Sequence, residues 1–111
     1  VRIVRAALAA TLLGLLLVGA AASPAAAHAS LESVDPPDGA RLEESPPSVR
    51  LTFSERVSVG LGGVQVLDAQ GKPVHDSEAE ADGEVVEVSL EDDLPDGTYV
   101  VSFRVISADG H

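Results

Sequence analysis

Three residues of this sequence, His28, Asp109 and His111, have types and positions that point to one piece of chemistry. His28 directly follows Ala25-Ala26-Ala27, an A-x-A site of the kind cut by signal peptidase, and cleavage after Ala27 makes it an N-terminal residue. A terminal histidine carries an α-amine and an imidazole on one residue, and the two nitrogens can close a chelate ring on a metal ion with no fold to position them. At the other end, Asp109 and His111 stand two apart around Gly110. In extended chain such side chains fall on the same side, roughly 6.5 Å apart along the backbone. The glycine between them removes the bulk that would keep them from converging. Amine, imidazole and carboxylate in tetragonal geometry suit Cu(II), which stands at the top of the affinity order for divalent ions. Zinc accepts the same donors, so donor chemistry favours copper without excluding zinc.

These donors depend on what precedes and supports them. Residues 1–27 read as a secretory signal: Arg2 and Arg5, an apolar stretch from Ala6 to Ala22, then small residues up to the cut. The stretch falls short of the ~20 residues of a comfortable membrane span and no stop-transfer charge follows it. No cysteine follows the cut, so there is no lipoprotein attachment site. The remaining domain, residues 28–111, holds all 18 acidic residues against five basic ones and carries a net charge of −13. That balance excludes a nucleic-acid footprint and disfavours an anionic membrane surface, while it concentrates cations around the molecule. Without cysteine there are neither disulfides nor thiolate ligands, and stability must come from packing.

The residues after His28 alternate in polarity and are broken about every ten positions by turn residues, the pattern of an all-β sandwich or barrel. Val49, Leu51 and Phe53 share one face of a strand, Val64 to Leu67 form another, and Val86, Val88 and Leu90 line a third. Residues 75–84, with Asp76, Glu78, Glu80, Asp82, Glu84 and no apolar residue larger than alanine, read as an exposed connection in which His75 is solvated. Leu94-Pro95-Asp96-Gly97-Thr98-Tyr99 predicts a tyrosine corner, in which the phenol bonds back to upstream backbone. The strand after it places Tyr99, Val101, Phe103 and Val105 on one side, and Tyr99 and Phe103 are expected to anchor the core.

Five segments in order, His28-Ala29-Ser30-Leu31, Asp35-Pro36-Pro37-Asp38-Gly39-Ala40, Leu51-Thr52-Phe53-Ser54-Glu55, Leu94 to Tyr99 and Ser107-Ala108-Asp109-Gly110-His111, resemble the CopC family of exported copper-resistance proteins. The resemblance implies a Greek-key, immunoglobulin-like or cupredoxin-like β-sandwich. It also implies Cu(II) bound by the amine and imidazole of His28, by Asp109 and by His111, with a nearby role for Glu55 at the metal site. Some members hold Cu(I) on a methionine-rich loop, and this chain has no methionine. The family continues past the D-G-H motif with a further strand. The expectation is therefore a longer protein cut short before its last strand, the remainder holding a membrane anchor or a fused transport domain. The reading is a non-catalytic protein, periplasmic, extracellular or at the cell surface, that sequesters or delivers Cu(II). Its partners are the copper ion and a membrane copper transporter, separate or fused. Two other readings are carried beside it: a copper monooxygenase with an N-terminal histidine, against which the small size and three aromatic residues argue, and a metal-free extracellular immunoglobulin-like module.

Overall fold

The structure, a computed structural model, describes residues 28–110. The predicted signal segment and His111 lie outside the described residues. Eight strands occur among them and no helix: β1 (Leu31–Asp35), β2 (Ser48–Phe53), β3 (Val57–Ser58), β4 (Val64–Leu67), β5 (Glu80–Asp82), β6 (Val85–Ser89), β7 (Val100–Phe103) and β8 (Ile106–Ser107).

The strands form a β-sandwich with no closed barrel among the described residues. One layer is a four-stranded antiparallel ladder in the order β1-β2-β6-β5. The other is built from two short ladders, β3 with β8 and β4 with β7. Their registers, Val57↔Ser107, Ser58↔Ile106 and then Val64↔Phe103 to Leu67↔Val100, run the two segments past each other as one ribbon interrupted by the loop of residues 59–63. Alternation explains the core. Val49, Leu51 and Phe53 of β2 and Val86 and Val88 of β6 share one buried core with Val64 and Val66 of β4, together with Val57, Val74 and Leu90.

The predicted strands around residues 49–53, 64–67 and 86–88 are present, and so is the tyrosine corner, with the Tyr99 hydroxyl donating to the Pro95 carbonyl. Four expectations need correction. Residues 75–84 are not all connection, because β5 pairs with β6 through backbone alone, its three side chains all exposed. The strand after Tyr99 is split, with β7 ending at Phe103 and β8 resuming at Ile106 on a different partner. Phe103 is 42% exposed and meets the buried Phe53 edge to face, their ring centroids 5.7 Å apart. The core is anchored instead by Phe53, at 1% exposure, and a set of valines and leucines. His75 is half-buried, where solvation was expected: it bridges to Leu90, its Nδ1 donates to the Ser77 carbonyl, and its Nε2 is buried with no partner among the described residues.

Candidate metal centre

The segments that carry the expected ligands meet at one end of the sandwich. After Phe53 the chain leaves the ladder and rejoins structure at Val57. Both ends of this arch are tied to the turn before β6, the Phe53 N–H donating to the Glu84 carbonyl at 2.8 Å and the Val57 N–H to the Gly83 carbonyl at 3.0 Å. Ser54, Glu55 and Arg56 form the arch itself.

The segment that begins at His28 is fixed to the first of these residues. The Ser30 N–H donates to Ser54 Oγ at 2.9 Å, and the Ser54 N–H donates to the Ser30 carbonyl at 2.8 Å. Ala29 packs against the core, which leaves His28 exposed just beyond the clamp. The C-terminal turn is fixed to the third residue, the Ala108 N–H donating to the Arg56 carbonyl at 3.0 Å. Glu55 thus stands between the residue that holds the His28 segment and the residue that holds the turn bearing Asp109. Its Oε1 is buried and has no hydrogen-bond partner among the described residues. A buried carboxylate oxygen without a donor is costly, and a cation is one way to satisfy it.

The turn has its own lock. The Gly110 N–H donates to the Ser107 carbonyl at 2.9 Å, and Gly110 sits at φ +90°, a conformation that residues with a Cβ rarely adopt. The Ser107 hydroxyl donates to Asp109 Oδ1. The backbone therefore brings the segments of His28, Glu55 and Asp109 to one end. Among the described residues, however, no three histidine, aspartate or glutamate side chains gather closely enough to hold a metal ion. His111, the fourth of the expected ligands, lies outside the described residues.

Sequence reasoning missed Ser54 and Ser107. Ser107 had a signal, since it continues the two-residue spacing of Val101, Phe103 and Val105 along the inward side of the strand. Ser54 had none, because its role depends on a partner 24 residues away.

Protein YobA of Escherichia coli K12 is 34% identical over 88 residues, which cover 77% of this chain and 71% of YobA. Protein YobA of Shigella flexneri matches to the same degree. The copper transport protein CutJ of Bacillus subtilis 168 is 28% identical over 88 residues, 77% of this chain but only 16% of CutJ. No solved structure matches significantly. The CopC domain matches residues 31–111, from the first residue of β1 through the arch and past the Asp109 turn, and the chain belongs to the CopC family.

Proposed function

We propose that this chain is an exported Cu(II)-binding protein that sequesters or hands over the ion without catalysis. In this reading the ion would be held by the amine and imidazole of His28, by Asp109 and by His111, with Glu55 nearby. The observation that carries it is the convergence of the His28 segment and the Asp109 turn on the arch, with the unpartnered Glu55 Oε1 between them. Membership of the CopC family and the similarity to a protein named for copper transport point to the same ion. Nitrogen and carboxylate donors favour Cu(II). Cu(I) prefers thiolate and thioether sulfur, and this chain has neither cysteine nor methionine. Delivery implies a receiving partner, for which a membrane copper transporter, separate or fused, is the natural candidate.

Export and chemistry can be tested together. Intact-mass analysis of exported protein should give a chain that begins at His28, since any other start removes the chelate. Competitive titration with chelators specific for each oxidation state should then show tighter binding of Cu(II) than of Cu(I). His28→Ala should remove most of the Cu(II) affinity and His75→Ala should change it little. Affinity should fall on acidification, because copper must displace protons from its nitrogen ligands. A chain that binds Cu(I) more tightly, or Cu(II) equally well without His28, would overturn the reading.

A further inference from the structure

Ser107 is the one buried polar side chain among the described residues, at 3% exposure. It takes a position that the alternation of its strand reserves for apolar residues, facing Val57 across the β3–β8 ladder. Alanine would fill that position without a polar group to desolvate, and a buried hydroxyl left unpartnered costs about 1–3 kcal/mol. The hydroxyl is not left so, because it donates to Asp109 Oδ1. The same residue closes the turn through its carbonyl, which accepts from the Gly110 N–H. Ser107 therefore fixes both the path of the backbone through Asp109 and the orientation of the Asp109 carboxylate, from a site that is itself immobilised by burial. Asp109 is exposed on a surface turn, and a carboxylate that is already oriented there meets a ligand at a smaller entropic cost.

We propose that Ser107 is a positioning residue for metal binding, holding the Asp109 carboxylate in the orientation in which it meets the ion. The inference rests on the proposed function. Outer hydrogen bonds of this kind orient ligating carboxylates, and their loss typically lowers metal affinity about 10- to 100-fold.

The test is a double-mutant cycle on the exported protein, read by Cu(II) titration and by the electron paramagnetic resonance spectrum of the bound ion. Thermal unfolding of the metal-free form serves as the control. Ser107→Ala should weaken Cu(II) about tenfold and change the spectrum while leaving the metal-free unfolding temperature nearly unchanged. Ser107→Thr, which keeps the hydroxyl, should retain the affinity and the spectrum. Ser107→Ala combined with Asp109→Asn should bind no more weakly than Asp109→Asn alone, since the serine acts only through the aspartate. An unchanged affinity and spectrum in Ser107→Ala, or a serine effect equally large with Asp109→Asn in place, would overturn the proposal and leave the Cu(II) reading standing. Undiminished Cu(II) binding by His28→Ala would instead overturn both.

Discussion

The four-stranded ladder and the β3–β8/β4–β7 ribbon close over one core but draw on it unequally. In the ladder, β2 and β6 bury every second residue completely and meet a partner strand on both edges. In the ribbon, the β4 side buries Val64 and Val66, while the opposite segment leaves Val100, Phe103 and Ile106 among the exposed large apolar residues. That half-covered segment is also the one that ends in Ser107 and the Asp109 turn. Cohesion thus resides mainly in one layer, and the candidate site hangs from the edge of the other, tied back to it by the arch at Ser54 to Arg56. Substitutions in the two layers should therefore separate stability from binding.

The sharpest form of that contrast uses the two phenylalanines, which touch each other edge to face. Phe53 lies at 1% exposure and Phe103 at 42%. Truncation of a fully buried phenylalanine costs about 3–5 kcal/mol, through lost transfer energy and the cavity left behind. Phe53→Ala should show that loss in urea unfolding, and Phe103→Ala less than half of it. Equal losses would mean that the ribbon is as deeply packed in solution as the ladder, and the comparison would collapse.

A smaller effect should come from the ribbon's interruption. A Cβ at Gly63 would lie 2.5 Å from Val59 Cγ2, 2.9 Å from the Arg104 carbonyl oxygen and 3.0 Å from that of Gly60. Two of these neighbours are backbone, and Gly63 also accepts the Arg104 N–H that restarts the ladder toward β7. Gly63→Ala should cost about 1–3 kcal/mol, the range for forced overpacking. Gly97→Ala, where a Cβ would meet nothing within 4 Å, serves as the control and should be neutral or slightly stabilising. A neutral Gly63→Ala would show that the loop yields, and that the split of the strand at Phe103 is not fixed by this close approach.

The ladder was legible in the sequence because its strands bury one face, and burial writes itself as alternation: Val49, Leu51, Phe53 and Val86, Val88 could be read directly. The tyrosine corner was legible for a different reason, since its hydrogen bond joins Tyr99 to a residue only four positions back. What long-range pairing decides was not legible. Glu80, Ala81 and Asp82 carry no apolar signal, and β5 exists only because β6 offers it backbone partners. His75 looks solvated in its acidic neighbourhood and becomes half-buried through a bridge to Leu90. Phe103 has the right phase for a core anchor, but phase gives the face of a strand and not how much of that face its neighbours cover. Of the candidate site, the sequence yielded ligand types through the cleavage motif and the family resemblance. The clamps at Ser54 and Arg56 depend on contacts made only in the folded chain.

The smallest expected effect lies on the outer face of the ladder, where electrostatics can be set against the packing beneath. Arg50 of β2 stands opposite Glu87 of β6, which stands opposite Glu80 of β5, so one row across three strands reads positive, negative, negative. Arg50 Nε and Nη2 both donate to Glu87 Oε2, at 3.0 and 2.7 Å, but the side chains are 58% and 42% exposed. Pairs in that setting contribute about 0–1 kcal/mol, and like charges directly opposite each other are unfavourable by a similar small amount. Arg50→Ala should therefore cost less than about 1 kcal/mol, and Glu80→Gln should stabilise by a few tenths. Both effects should shrink in high salt, because exposed charges are screened. Unfolding measured at two salt concentrations checks the row as a unit. If Arg50→Ala were to cost as much as Phe53→Ala, or if its cost ignored salt, the arginine would be acting through its aliphatic stem against the sheet, and the outer face would belong to the packing of the ladder after all.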